Sequence, residues 1–222
     1  MISRASRRSG WTRCSPPLPS ELYEADEDTR IRVGRLAEPL CGRTRPGHFE
    51  GVATIVAKLF GVVGPSIAVF GKKDYQQLLV IRRMARDLFA PVEVVGVETV
   101  REPDGLAMSS RNGFLSPDDR ARALALVRGL DAAARAFASG ERRARVLEAL
   151  GRETVDRAAS SVDYVEVRDA DTLAALDGDT GPRALLAMAC RIGSTRLIDN
   201  IVLGEGQPPI SSQPVSAAPD GG

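Results

Sequence analysis

Residues 66–97 have the order strand, tight turn, helix and strand, which restricts the topology of this part of the chain. Ser66–Phe70 is a short apolar run of strand type, and Val92–Val97 is a second one that we expect to be buried. A tight turn at Gly71–Lys73 leads into a helix predicted from Asp74 to about Leu88. The helix residues expected to face inward are Leu78, Ile81, Ala85 and Leu88. Consecutive strands joined in this way form a parallel sheet with a right-handed crossover.

The segments around this unit extend the α/β pattern and then change it. Phe49–Val63 has the apolar spacing of a helix packed on one face. A loop follows from Glu98 to Gly113, and Ser116 to Asp119 then supplies an N-cap Ser, a Pro at N1 and first-turn acids. Helices are predicted at 117–138 and 142–159, and strands at 162–168, 184–191 and 196–202. The fold class is therefore α/β, with a parallel-sheet domain followed by a small α+β C-terminal domain.

Both ends of the chain are predicted to be disordered. Residues 1–20 contain four arginines and no acidic residue, which indicates a disordered leader or a misassigned start. A transit or twin-arginine signal is disfavoured because no apolar stretch follows and three prolines break any helix. Residues 206–222 are rich in Pro, Ser, Gly and Ala, as in a disordered tail. We place the first domain at 21–112 and the second at 113–205.

Composition excludes several classes of function. The formal net charge is +1, and outside residues 1–20 the chain has 26 basic and 29 acidic residues, which is unlike a dedicated nucleic-acid binder. No apolar run approaches about 18 residues, so no membrane span is expected. His48 is the single histidine, which excludes sites that need two imidazoles. Three scattered cysteines without a C-x-x-C motif favour a reducing compartment, so we expect a cytoplasmic protein.

The turn at Gly71–Asp74 is the first candidate binding segment. It lies between a strand and a helix, where open α/β sheets bind ligands and free helix amides attract phosphate. Lys72 and Lys73 are two of only three lysines, and a compact ammonium group binds phosphate as a point charge. Gln76 and Gln77 follow in the first helical turn, so at least one amide is expected to face the same crevice. A solvated basic turn is the alternative interpretation.

The second candidate segment, Met108–Asn112, follows the next strand. It therefore lies at the same edge of the predicted sheet as the lysine turn. Two serine hydroxyls and the guanidinium of Arg111 can together hold a triphosphate and follow its charge to a leaving pyrophosphate. The alternative is a Ser-rich loop that caps the next helix.

His48 precedes the first amphipathic helix. Its cationic form is disfavoured near a helix start. It either anchors the loop by packing or contacts a substrate, and no orienting acid is evident that would make it a general base.

Three motifs, in order along the chain, carry a resemblance to a known family. They are RPGHF at 45–49 followed by Gly51-Val52, FGKKDYQQL at 70–78, and TVREPDGLAMSSRN at 99–112. Together they resemble pantothenate synthetase, the pantoate–β-alanine ligase family of coenzyme A biosynthesis. The resemblance runs from about Leu36 to Val202, and Thr195–Asn200 looks like the closing strand of the family.

The resemblance implies a Rossmann-like fold of the HIGH-superfamily nucleotidyltransferases and an acid–amino-acid ligase that forms a C–N bond. In the implied reaction pantoate attacks the α-phosphate of ATP, giving pantoyl adenylate and pyrophosphate, and β-alanine then displaces AMP. Mg²⁺ accompanies the ATP, and the family resemblance suggests a homodimer.

The resemblance also implies roles for individual residues. Lys73, Ser109 and Arg111 would be catalytic, Gln77 would bind pantoate, and no side chain is implied as a metal ligand. Val100 would contact the adenine side, and residues 108–111 would form a mobile phosphate-binding loop. The ATP-binding residues would be Gly71, Lys72, Lys73, Asp74, Val100, Met108, Ser109, Ser110 and Arg111.

The chain departs from the family pattern at its beginning. The family starts with a strand leading into a His-x-Gly-His loop that holds ATP, which a chain with one histidine cannot contain. We therefore expect an incomplete parallel sheet, and a ligase that is inactive alone or complemented by a partner carrying the absent half. The alternative is a non-catalytic truncated remnant that associates with a complete synthetase. A fragment of a class I aminoacyl-tRNA synthetase fits less well, because residues 99–112 differ and tRNA binding predicts a basic face.

Overall fold

The computed structural model describes residue 22, residues 25–206 and residues 208–210. The predicted leader lies outside the described residues, as does most of the predicted tail. Residues 25–30 belong to a separate unit, in which Arg30 Nη1 lies 2.9 Å from Glu27 Oε1. No helix among the described residues is both long and apolar enough to cross a membrane.

From Ile31 to Leu203 the chain alternates helices and strands, and three consecutive strands come last in this stretch. Within the described part of the chain, 3₁₀ turns at Arg35–Ala37, Lys72–Asp74 and Ser110–Phe114 interrupt the connecting segments. The helices and strands are α1 (Cys41–Thr44), α2 (His48–Val63), β1 (Ser66–Gly71), α3 (Tyr75–Asp87), β2 (Val92–Val97), α4 (Pro117–Ala138), α5 (Ala144–Ala158), β3 (Ser161–Arg168), β4 (Ala184–Ile192) and β5 (Thr195–Leu203).

Strands β1 and β2 form a parallel pair joined through α3. The register runs from Ser66 opposite Val92 to Gly71 opposite Val97, as the β-turn-α-β pattern predicts. The prediction that β2 is buried is wrong, because none of its residues is fully buried and Val97 is 43% exposed. In β1, Ile67 and Val69 are 67% and 60% exposed. Only one face of this sheet is covered by helices, so the alternate side chains remain open to solvent.

Helix α3 buries the face predicted from its sequence, with one exception. Leu78, Ile81 and Ala85 are buried, whereas Leu88, also expected to face inward, is 55% exposed. The helix ends at Asp87, so Leu88 leaves the helical path and no longer shares the inward face.

The second sheet is antiparallel, in the order β3-β4-β5, and both of its faces are covered. Along β4, Leu186, Met188 and Cys190 pack in a core with α4 and α5. Leu185, Ala187 and Ala189 pack in a second core with α2 and α3. The side chains alternate with the period of two expected for a strand, so β4 is buried except at Arg191.

The loop between β2 and α4 contains local hydrogen-bonded structure. Arg101 and Ala107 form an isolated antiparallel bridge. The start of α4 follows its predicted capping, since the Ser116 hydroxyl accepts a hydrogen bond from the Asp119 N–H at 3.1 Å and Pro117 is the first helical residue. The loop is thereby held at both ends.

Candidate functional site

A cavity of about 260 Å³ lies where the carboxyl end of β1 and the start of α3 meet one face of the antiparallel sheet. Its apolar floor includes Leu185, Ala187 and Ile198. Its polar lining comes from both halves of the chain: Cys41, Arg45, His48, Lys73, Asp74, Gln76, Gln77, Arg111, Tyr164, Arg196, Asp199 and Asn200. Twelve polar residues over an apolar floor make this lining more polar than that of most small-molecule sites, which are predominantly apolar.

The two lysines of the turn have different surroundings. The ammonium group of Lys72 forms an ion pair with Glu98 and lies 3.5 Å from Glu205 Oε2, and the hydrogen bond that it donates to Glu98 raises the pKa of Lys72 above its ordinary value. Lys73 lines the cavity, and among the described residues no carboxylate lies within ion-pair distance of its ammonium group. Lys73 is therefore the lysine placed to meet an anionic ligand.

The 108–112 segment reaches the same region from the other side of the crevice. Arg111 lines the large cavity, and Ser109 lines a small adjoining one of about 10 Å³ that also includes Lys73. The Ser109 hydroxyl accepts a hydrogen bond from the Arg111 N–H at 3.2 Å. The structure thus brings Lys73, Ser109 and Arg111 together at this edge of the parallel sheet.

Some residues of the predicted ATP-binding set stand away from the described cavities. Five members of this set line neither cavity, namely Gly71, Lys72, Val100, Met108 and Ser110. The side chains of Val100 and Met108 are 60% and 56% exposed, and the Val100 carbonyl accepts a hydrogen bond from the Met108 N–H at 2.9 Å.

The adjacent glutamines divide between structure and site. The amide of Gln76 is saturated, since its oxygen accepts from the Cys41 N–H at 3.1 Å and its nitrogen donates to the carbonyls of Leu36 and Pro39 at 2.9 and 2.7 Å. Gln77 is half-buried and lines the cavity. Asp74 also lines it at the start of α3, where exposed backbone amides favour anions.

His48 begins α2 and lines the cavity. Arg45 Nη1 lies 3.1 Å from His48 Nε2, which fits a neutral ring that accepts this hydrogen bond. The ring also packs against Phe49, with 4.9 Å between ring centroids. Burial lowers the pKa of His48, and the charge of Arg45 lowers it further. The contacts fit an anchoring role, and the position at the cavity leaves room for substrate contact.

Sequence reasoning missed the wall contributed by the antiparallel sheet. Arg196 Nε donates to Asp163 Oδ2 at 2.7 Å, and Arg196 Nη2 lies 3.8 Å from Cys41 Sγ. The Tyr164 hydroxyl lies 3.1 Å from the same sulfur, and burial raises the pKa of Tyr164 above its ordinary value. The segment 195–200 carried a family resemblance, which was the available signal for Arg196, Asp199 and Asn200.

The charges around the cavity favour an anionic ligand. Arg45, Lys73, Arg111 and Arg196 line it, against the carboxylates of Asp74 and Asp199. The Asp199 carboxylate is already paired with Arg101, and the Arg196 guanidinium with Asp163, which leaves the charges of Arg45, Lys73 and Arg111 against that of Asp74. Clefts lined mostly by one sign of charge concentrate ligands of the opposite sign.

Comparison with known proteins gives the family. The sequence model of the pantoate–β-alanine ligase family matches residues 7–202, starting upstream of Leu36, where the motif-based resemblance begins. The chain belongs to this family. The α/β fold class, with a parallel sheet followed by an antiparallel C-terminal part, is confirmed by the match to pantothenate synthetase structures.

Individual relatives agree with the family match. Pantothenate synthetase 1 of Bradyrhizobium diazoefficiens is 54% identical over 187 residues, covering 84% of this chain and 66% of the relative. The pantothenate synthetase of Pelobacter propionicus is 50% identical, with 85% and 66% covered. The chain therefore spans about two thirds of the length of these relatives.

Solved structures show the same relation. A pantothenate synthetase from Thermus thermophilus matches with a TM-score of 0.77 and 46% identity, over 82% of this chain and 66% of that one. A pantoate–β-alanine ligase from Francisella tularensis, complexed with β,γ-ATP and β-alanine, matches with a TM-score of 0.61 and 27% identity, over 84% and 63%.

Proposed function

We propose that the cavity binds ATP and pantoate for the ligase reaction of the family. The pantoate carboxylate attacks the α-phosphate, giving pantoyl adenylate and pyrophosphate, and the amine of β-alanine then displaces AMP to form pantothenate. The observation that carries this proposal is that Lys73, Gln77 and Arg111, from two separate motifs, line one cavity in a chain of this family.

Lys73, Ser109 and Arg111 are the proposed catalytic residues. A cationic side chain at each end of the triphosphate would stabilise the charge that moves to pyrophosphate, while Ser109 would donate a hydrogen bond. Gln77 would bind pantoate. The remaining proposed ATP contacts are made by Gly71, Asp74, Val100, Met108 and Ser110. Lys72 belongs to the predicted ATP-binding set, but its ammonium group is paired with Glu98 and Glu205, so we propose Lys73 as the main cationic contact to the phosphates.

Mg²⁺ enters this proposal as part of the nucleotide substrate. Magnesium is usually held by phosphate oxygens, waters and one or two carboxylates. Among residues 25–206 and 208–210, no cluster of three His, Cys, Asp or Glu side chains could hold a metal ion by itself. The exposed carboxylate of Asp74 fits a magnesium ion carried in by ATP.

The proposed partners are ATP, pantoate and β-alanine, with a homodimer in the cytoplasm as the proposed assembly and location. The second candidate is a non-catalytic chain that associates with a complete synthetase. It is favoured by the single histidine, because the sequence then offers no His-x-Gly-His loop. In that case standalone activity would be absent although the cavity is preserved.

Pantoate-dependent exchange of pyrophosphate into ATP tests the two candidates. Exchange by the purified chain that falls about 100- to 1,000-fold in Lys73→Ala, as expected for the loss of one well-aimed donor, would support the ligase. Lys72→Ala is the matched control, because it removes the same ammonium group from the neighbouring position, and it should cost much less. A folded sample without exchange would exclude standalone ligation and favour the non-catalytic chain.

A further inference from the structure

Two neighbouring residues of β5 hold the two proposed ATP-binding segments. The Asp199 carboxylate, 2% exposed, accepts hydrogen bonds from Arg101 Nη1 at 2.7 Å and Nη2 at 3.1 Å. Arg101 Nη1 also donates to the Gly105 carbonyl at 3.1 Å. This paired, two-bond contact fixes the base of the loop that ends in Ser109 and Arg111.

The next residue along the strand holds the lysine turn. Asn200 Nδ2 donates to the carbonyl of Lys72 at 3.1 Å and to that of Lys73 at 2.7 Å. The Asn200 side chain is 9% exposed, and its backbone N–H donates to Asp199 Oδ1 at 2.8 Å. The side-chain amide thus binds the backbone from which the Lys73 ammonium group extends toward the cavity.

The two side chains leave opposite faces of the same edge strand. Leu197 packs with α4 and α5, while Ile198 packs with α2 and α3, so alternation places Asp199 on the first face and Asn200 on the second. Strand β5 is the edge of its sheet. One peptide unit of a buried strand therefore connects the segment carrying Lys73 with the segment carrying Arg111.

We infer that Asp199 and Asn200 are positioning residues that set the distance between Lys73 and the Ser109–Arg111 loop. Alignment of charged groups is sensitive to shifts of about 1 Å, so a rigid connection between the two segments serves a reaction that depends on alignment. The positions of the two segments follow from the hydrogen bonds alone. The claim that their spacing serves catalysis rests on the proposed function.

Hydrogen exchange of the full chain tests the geometry without any ligand. Asn200→Ala should speed exchange about tenfold in peptides covering residues 71–76 and leave 101–112 unchanged, since two hydrogen bonds of ordinary strength are lost. Asp199→Asn should speed exchange at least about tenfold in residues 101–112, because it weakens the contact that holds Arg101.

Asp131→Asn is the matched control. Asp131 is 8% exposed, its Oδ2 lies 2.6 Å from Arg135 Nε, and its Oδ1 accepts from the Ile210 N–H, all away from both segments. This variant should leave residues 71–76 and 101–112 unchanged even where it lowers the urea midpoint as much as Asp199→Asn does. A uniform acceleration over the whole chain in the β5 variants, or no local change, would overturn the inference.

Equilibrium binding of MgATP separates the inference from the proposed function. Both β5 variants should raise the Kd for MgATP about tenfold or more, while Asp131→Asn should leave it unchanged. If the unaltered chain binds no MgATP, the proposed function fails, and the exchange pattern alone still decides whether Asp199 and Asn200 position the two segments. Normal MgATP binding by variants that show the local exchange would overturn the link to function.

Discussion

The two sheets of the molecule are buried to different extents. The parallel pair β1–β2 is covered by helices on one face and exposes Ile67 and Val69 on the other. The antiparallel sheet β3–β5 has a helical layer on each face, and seven of the nine residues of β4 are buried in one unbroken run. Parallel sheets are normally covered on both faces, so the first sheet is the unusual one.

This difference separates the better covered sheet from the sheet that is followed by most of the proposed ligand contacts. Local unfolding in proteins starts where few apolar contacts are buried. The turn carrying Lys73 follows β1, the less covered strand, but Asn200 of the fully covered sheet holds its backbone. The site is therefore built from a weakly packed segment attached to a strongly packed one.

Truncating one apolar side chain in each sheet gives the largest expected contrast. Leu186→Ala in β4 removes a side chain with 0% exposure and should lower the free energy of unfolding by about 2–5 kcal/mol. Ile67→Ala in β1 should cost less than about 1 kcal/mol, because most of that side chain already meets water. Urea unfolding followed by circular dichroism measures both. Equal costs would show that the exposed face of β1 is covered in solution.

Glycine substitutions give the next largest contrast. A Cβ at Gly129 in α4 would lie 2.7 Å from the Gly151 carbonyl oxygen and 2.6 Å from Thr154 Oγ1, so Gly129→Ala should force α4 and α5 apart at a cost of about 1–3 kcal/mol. Gly61→Ala in α2, where nothing lies within 4 Å, should stabilise the chain by about 0.5–1 kcal/mol.

Thermal melting of the two alanine variants beside the unaltered chain measures this pair. A tolerated Gly129→Ala would mean that the two helices over the antiparallel sheet pack less tightly than their closest approach indicates. A destabilising Gly61→Ala would point to an unseen contact on the solvent side of α2.

The sequence predicted helices and strands well where a residue type has a known local effect on the backbone, such as helix capping. The N-cap at Ser116 and the proline after it located the start of α4, and the apolar run Val92–Val97 located β2 within its observed bounds. Burial was harder to predict, because an apolar run has the same sequence whether or not a second layer covers it. Val97 was expected to be buried for that reason, whereas Leu88 was expected to face inward because the predicted helix ran one residue past its observed end at Asp87.

The sequence predicted the part of the site next to the parallel strands but not the part formed by the antiparallel sheet. Motifs after two parallel strands placed Lys73 and Arg111 near each other, since such strands end at a common edge. Lys72 and Lys73 could not be told apart, because the partner Glu205 comes from the far end of the chain. Tyr164 and Arg196 line the cavity only because the antiparallel sheet forms its floor, a tertiary contact that no local pattern encodes.

His48 offers the smallest and most local test, at the point where the weakly covered half meets the cavity. Burial and the Arg45 charge lower its pKa from 6.5, so folding favours the neutral ring. The stability linked to this group is fully present above about pH 6.5 and is lost as pH falls through the lower folded pKa.

An NMR titration of the single imidazole measures the folded pKa of His48 without ambiguity of assignment. We expect a midpoint below 6.5 that moves up in Arg45→Gln, because this change removes the neighbouring positive charge. Arg83→Gln is a control on the exposed face of α3, where Arg83 pairs with Asp87, and should leave the midpoint unchanged. A midpoint at or above 6.5 in the unaltered chain would mean that the ring is more solvated than its contacts with Phe49 and Arg45 imply.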